Sequence, residues 1–390
     1  MSRTVKTAAI QMDATPAPVS ERLERAAKLV ADAAKEGAQL ALLPEVFNTG
    51  YEYSDQNYKL AETMDGQTVT WMKQQASKHK AHIGGTLFLI DGDDVYNAFL
   101  LIAPDGHTWR YDKNFPWAWE RAFFREGRTI TIADTDLGKF GMMICWDYAH
   151  PELWRRYAGK VDAMLISSCP PKTAEFDTVF SDGSRYNLSE GFETYHGDDM
   201  PFGADMDAQA AWLRVPLVNT AGSGEFKTTL PLPVVSLAGI VIGKPDLWPK
   251  MLDAKKFHME CGYYPQTKVV DANGEVLVRV EEEGDAFVIS EMELADVAPK
   301  PLGRQPKGKF TPYSYFISDW LTPTFMTPLY RRGYRRQLGE QMAPVDYSTR
   351  VWSVITLSLL VWGWLLGRSS KSKPKRQPAK KVVKKKKSPN

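Results

Sequence analysis

The run GMMICWDYAHPELWRRYAG, residues 141–159, places Cys145 at the seam between an apolar strand and an amphipathic helix. A thiol is a weak nucleophile at its free pKa, so a catalytic one needs a base and a positive environment. At such a strand-to-helix turn the first backbone N–H after the thiol, that of Trp146, can point at an oxyanion on the attacked carbon. Histidine is the usual base, and the chain has six: His79, His82, His107, His150, His196 and His258. His150 lies on the outgoing turn, near enough in sequence for a Cys–His dyad. A different pair stands out. Glu45 follows the apolar run and proline of LALLP, and Lys113 follows a strand pair ending near APDG. Each can emerge at a sheet edge, where layered α/β folds form their sites.

The elements that must position these residues alternate from 1 to about 300, short β-type runs with helical segments, which is the mark of an α/β layered domain. TAAIQM reads as a strand, and SERLERAAKLVADAAKEG as a helix capped by Ser20 and stopped at Gly37. LALLP (40–44) is a buried strand, HIGGTLFLI and VYNAFLLIAPDG pair across DGDD, and TIADTDLGKFGMMIC turns at 136–139 so that Cys145 closes its second strand. PELWRRYAG (151–159) opens on a first-turn proline and reads as a helix. DAMLISS is a buried strand, and ADMDAQAAWLRV with PLVNTAG a helix–strand unit. VVSLAGIVI, TKVVDANGEVLVRV and DAFVISEMEL read as strands, the second a hairpin at Asn273–Gly274. Many strands with few crossover helices predict two stacked sheets with helices outside. Residues 172–203 and 226–265 read as loops, either the walls of a binding site or surface insertions. The Pro- and aromatic-rich stretch from 301 to 350 receives no regular fold.

Together the three stretches around Glu45 (LPE), Lys113 (YDKN) and Cys145 (ICWDYAHPE) resemble the carbon–nitrogen hydrolase family, the nitrilase superfamily. The resemblance runs over about residues 4–300 and implies a four-layer α-β-β-α sandwich, a homo-oligomer, a Glu–Lys–Cys triad and no metal or other cofactor. It implies Glu45 as general base, Lys113 as fixed positive charge beside the oxyanion, and Cys145 as the nucleophile that forms a thioester. WERAFFREG is similar to the family segment that supplies a second glutamate, here Glu120. Tyr51 and Trp146 are the expected substrate walls, and Cys169 is expected as strand-end packing. The Asp after CW and the following HPE resemble the amidase-type branches, so the expected reaction is amide to carboxylic acid plus ammonia, an EC 3.5-type hydrolysis. Nitrile hydrolysis is the alternative, since Trp146 is the residue nitrilases favour. A silent scaffold and acyl transfer to an amine are further alternatives.

Composition bounds the class. The chain has 390 residues, 43% apolar and 25% charged, with three cysteines, too few for a disulfide framework or a zinc site. The net charge of +2 conceals eleven Lys and Arg and no acid in 368–390, which leaves 1–367 near −9. VWSVITLSLLVWGWLLG (351–367) has no charge over 17 residues and three tryptophans, the features of a membrane-associated helix. Behind it a disordered basic tail suits anionic lipid better than nucleic acid. The expected organisation is a catalytic domain at 1–300, an extension at 301–350, a hydrophobic helix at 351–367 and a tail at 368–390. No signal peptide is read at MSRTVKTAAIQM, so the catalytic domain is expected on the cytoplasmic face, with the tail on that same face if the helix is half-inserted.

Overall fold

Two β-sheets pack face to face, and alternation along their strands assigns every second side chain to a different layer. In the computed structural model, which describes residues 3–190, 201–241 and 243–337, the first sheet has seven strands. Their order is Gly222–Ser223, Arg3–Asp13, Leu40–Leu42, His82–Asp91, Asp94–Ile102 and Thr108–Asp112, with Ala286–Leu294 antiparallel to Arg3–Asp13. Ala8, Ile10, Ala41, Ile83, Leu100 and Ile102 point outward under the helices Val19–Lys35 and Gln67–His79. Their neighbours Ala9, Leu40, Leu42, Phe99 and Leu101 point inward to the second sheet.

The second sheet runs Val276–Arg279, Lys268–Val270, Leu217–Thr220, Ala163–Ser167, Lys139–Ile144 and Ile132–Asp134. Helices Pro151–Tyr157 and Pro201–Leu213 contribute Leu153, Trp154, Tyr157, Met206, Ala210 and Leu213 to the same core. Full burial of one such large side chain contributes about 1.5–3 kcal/mol. The α-β-β-α layering thus follows from which face of each strand is apolar.

Several expectations are corrected. VVSLAGIVI is a helix, Pro233–Val241, not a strand: Pro233 pre-sets the first turn, and the buried Ser236, Leu237, Ile240 and Val241 recur at helical spacing beneath a β-branched composition. Ser20 is not the helix cap; Pro18 stands at that position and the helix starts at Val19. The two presumed loop regions supply a third sheet, Arg185–Asn187, Asp177–Val179, His258–Gly262 and Glu225–Thr228, whose strands of three to five residues pair only once the fold brings them together. The extension is helical from 312 to 337, with Pro312–Tyr315, a π-helical stretch Phe316–Leu321 and Thr322–Gln337, and its residues 338–350 lie outside the described residues; the Thr311 hydroxyl accepts from the Ser314 N–H at 3.3 Å. The apolar run 351–367 and the tail 368–390 lie outside the described residues. Among the described residues no helix is long and apolar enough to cross a membrane.

Candidate active site

The strands ending at Leu42, Ile144, Ser167 and Thr220 are parallel within their sheets. The strand Thr108–Asp112 is separated from His82–Asp91 by two antiparallel pairings and so points the same way as that strand. Glu45, Lys113 and Cys145 each follow such a strand end. At that edge the two sheets are stapled together: the hydroxyls of Ser167 and Thr220 donate to the Leu43 carbonyl at 2.9 and 3.1 Å, and the Glu45 N–H donates to the Ser168 carbonyl at 3.2 Å. The buried Arg22 guanidinium braces the following turn by donating to the Phe47 carbonyl at 2.7 Å.

The charged side chains meet there, sealed from solvent. Lys113 Nζ donates to Glu45 Oε1 at 2.8 Å and lies 2.7 Å from Glu120 Oε2, with all three side chains at most 2% exposed. Asn97 Nδ2 donates to the same Glu45 oxygen at 2.8 Å. Glu45 Oε2 has no hydrogen-bond partner among the described residues, and the Cys145 thiol lies near enough to bear on this carboxylate. Glu120 accepts from the Trp117 N–H at 2.6 Å and from the Tyr51 hydroxyl.

Backbone strain marks the same places. Val46 and Cys145 both have φ of 44° and Ala118 has 40°, values that non-glycine residues seldom adopt. Such strain persists only where surrounding contacts impose it. For Cys145 the imposing group is Asp147. Its Oδ2 accepts from the Ile144 N–H at 3.1 Å and the Tyr111 hydroxyl at 2.7 Å, and its Oδ1 accepts from the Phe115 N–H at 2.8 Å. One buried acid thereby ties the turn holding the thiol to the segment holding Lys113.

Burial sets the proton affinities. Desolvation, with Glu120 adding to it, raises the Glu45 pKa to about 7 even though Lys113 opposes the shift. Burial and the Glu45 carboxylate push the Cys145 thiol far up, so its resting form is neutral. Desolvation alone would lower Lys113, but Glu120, Glu45 and Cys145 outweigh it and raise its pKa above the ordinary lysine value. The cluster is an ammonium held between two carboxylates beside a protonated thiol.

A narrow cavity of about 40 Å³ opens on Cys145 and is lined by Tyr51 and Trp146, as expected, and by Trp117, Phe202, Tyr264 and Phe310 among others. His150 is no partner of the thiol. Its Nδ1 lies 3.1 Å from the Trp146 carbonyl oxygen and its Nε2 3.0 Å from Asp319 Oδ2. Cys169 packs at a strand end, where a Cβ on Gly222 would collide with its sulfur. Sequence reasoning missed Asn97, Phe310 and Asp319, and took Asp147 only as a branch marker. Asp147 had a local signal, an acid three residues after the strand end; Phe310 and Asp319 had none, because they lie more than 160 residues from Cys145.

Comparison with known proteins gives matches over part of the chain. Residues 6–181 match the carbon-nitrogen hydrolase family. The chain is 32% identical over 160 residues to a nitrilase of Pyrococcus abyssi, covering 40% of this chain and 61% of that protein. It is 30% identical over 161 residues to omega-amidase NIT2-A of Xenopus laevis, covering 38% and 57%. The matches thus span about half to three fifths of the curated relatives. In fold it is similar to Saccharomyces cerevisiae Nit3 (TM-score 0.54, 22% identity, 75% of this chain and 90% of that one). A variant of the amidase from Nesterenkonia sp. AN1 is also similar (TM-score 0.54, 16% identity, 73% and 92%). Sequence match and fold agree: residues 6–181 match the carbon-nitrogen hydrolase family, and the fold is similar to that of a solved member of the nitrilase superfamily.

Proposed function

We propose that this protein is a thiol-dependent hydrolase that converts a non-peptide amide to a carboxylic acid and ammonia. The observation that carries the reading is the buried Lys113 ammonium bridging Glu45 and Glu120 beside Cys145. Glu45 takes the thiol proton as Cys145 Sγ bonds to the amide carbon. The developing oxyanion is held by Lys113 and the Trp146 N–H. When the C–N bond breaks, Glu45 returns the proton to the departing nitrogen and ammonia leaves. Glu45 then deprotonates a water that attacks the thioester, and the Cys145 thiol is restored with the acid product. Glu120, braced by Tyr51 and Trp117, holds the ammonium in place. Nitrile hydrolysis is the second reading, favoured by Trp146 and by the match to the Pyrococcus nitrilase.

Ammonia release from purified protein over a panel of amides and nitriles tests this reading, and no release from any member refutes it. The pH profile is a sharper check. Because Glu45 must be ionised to act and its pKa is raised to about 7, kcat/KM is expected to fall tenfold per pH unit below that value. A flat profile down to pH 5 would exclude Glu45 as the base.

On this reading residues 1–300 hold the chemistry, 301–350 extend it, and 351–367 with the tail 368–390 attach the chain to a membrane, with the catalytic domain on the cytoplasmic face and copies of the chain associating as a homo-oligomer. Attachment is supported by the uncharged run, the eleven basic residues after it, and the stacked Phe316 and Trp320, 39% and 56% exposed in the preceding helical segment. Each Lys or Arg near an anionic surface contributes about 1 kcal/mol. Full-length protein is therefore expected to sediment with phosphatidylserine vesicles, and a chain truncated after residue 350 to stay largely in the supernatant. Equal sedimentation of the two would remove the tail from the attachment.

A further inference from the structure

We infer that the segment carrying Phe310 and Asp319 adapts the Cys145 pocket to a compact, neutral, apolar acyl group, with Phe310 as the specificity-determining wall and Asp319 as a positioning residue. The inference rests on the hydrolase reading above and goes beyond it by naming the substrate class. Both residues lie well past the family-matched stretch, which ends at 181.

The wall is aromatic. Phe310 lines the cavity and meets the Trp146 ring edge to face, with centroids 4.7 Å apart, and the Tyr148 ring at 6.0 Å. Among the described residues that line the cavity none is Lys, Arg or His. The nearby ammonium of Lys113 is already engaged by two carboxylates. An acyl group bearing its own carboxylate would lose its hydration there, gain no cation and face Glu45 and Glu120. A neutral aryl or short branched alkyl group would find aromatic surface instead.

The segment is latched where it matters for the thiol. Asp319 Oδ1 accepts from the Trp146 indole N–H at 3.3 Å and lies 3.6 Å from Arg121 Nη2, while Oδ2 lies 3.0 Å from His150 Nε2. Arg121 Nε donates to the Ser318 carbonyl at 3.3 Å, and the Tyr315 hydroxyl donates to the Ala149 carbonyl at 2.7 Å. These bonds grip residues 146–150, the turn that presents the Trp146 N–H. Asp319 touches no reacting atom, so its effect passes through Trp146 and His150.

The test uses the full-length protein and two measurements. In the first, Cys145 is alkylated by iodoacetamide or iodoacetate: an S–C bond forms, iodide leaves and the thiol proton passes to Glu45. After correction for the rates with free cysteine, the neutral reagent is expected to react at least tenfold faster. Equal corrected rates overturn the neutral-acyl assignment. In the second, ammonia release is followed from neutral amides of increasing acyl size. Phe310→Ala is expected to raise kcat/KM for the bulky amides relative to acetamide about tenfold, and Phe310→Leu, which keeps a core-sized side chain, to do so less. An unchanged size preference in both variants, with wild-type turnover intact, overturns the role of Phe310. Asp319→Ala is expected to lower kcat about tenfold for every acyl size with KM little changed, and Asp319→Asn, which keeps an acceptor for the indole, to recover most of it. Equal kcat in Asp319→Ala and wild type overturns the positioning role. Failure of the hydrolase reading looks different: wild-type protein would release ammonia from no amide, and Cys145 would be labelled no faster than Cys169 and Cys261.

Discussion

Cys145→Ala is expected to lower amide turnover by about 10⁶-fold, the scale seen when the nucleophile of a covalent mechanism is removed, while the melting temperature moves by only a few degrees. The asymmetry follows from what the sulfur does. It contributes little volume to the core, and the strained backbone beneath it is held by Asp147 through bonds to Ile144, Tyr111 and Phe115, none of which involves the thiol. Cys169→Ala serves as the control. Its sulfur is also buried and its thiol is also pushed up by burial, but the sulfur packs against Gly222, and only its backbone N–H, which alanine keeps, bears on Cys145. Ammonia release and thermal denaturation on both variants are sufficient. Substantial turnover by Cys145→Ala would end the covalent mechanism.

Lys113→Ala is expected to fail twice. Loss of one charge aimed at the oxyanion costs about 3–4 kcal/mol of transition-state stabilisation, or roughly 10²–10³ in kcat. Loss of the cation between two buried carboxylates costs about 3–5 kcal/mol of folding stability, because Glu45 and Glu120 then share a desolvated site with no counter-ion among the described residues. A third effect has a definite sign. Lys113 opposes the upward shift of Glu45, so without it the Glu45 pKa rises above about 7, and whatever activity survives has its acid limb displaced to higher pH. Denaturant melts give the stability term, and rates on the folded fraction give the other two. A variant as stable as wild type with an unmoved acid limb would mean that the ammonium is not between the two carboxylates in solution.

The glutamate at position 120 shows how much of the site could be read in one dimension. Glu45, Lys113 and Cys145 each follow an apolar run, and a strand that ends at a sheet edge leaves its next residue at that edge; their order and flanks carried the family resemblance, and Glu120 followed from it. The many strands with few crossover helices likewise predicted the two stacked sheets, and the Asn273–Gly274 pair the hairpin, where Gly274 has a φ of 86°. The misread helix Pro233–Val241 lay in a short, uniformly apolar run, in which composition and period disagree and only packing arbitrates. The strands of the third sheet were too short to signal themselves.

The amino-acid sequence by itself determined the layered architecture and placed Glu45, Lys113 and Cys145 at strand ends, because periodicity and strand-end position are local properties of a chain; Glu120 came from the family resemblance. Only the tertiary structure decided that one ammonium is shared by both carboxylates, that Asp147 locks the strained Cys145 turn, that Phe310 lines the pocket and that Asp319 bonds the Trp146 indole. Those are contacts between segments far apart in sequence, and their distances and the burial that moves Glu45 to about 7 exist only once the sheets have stacked.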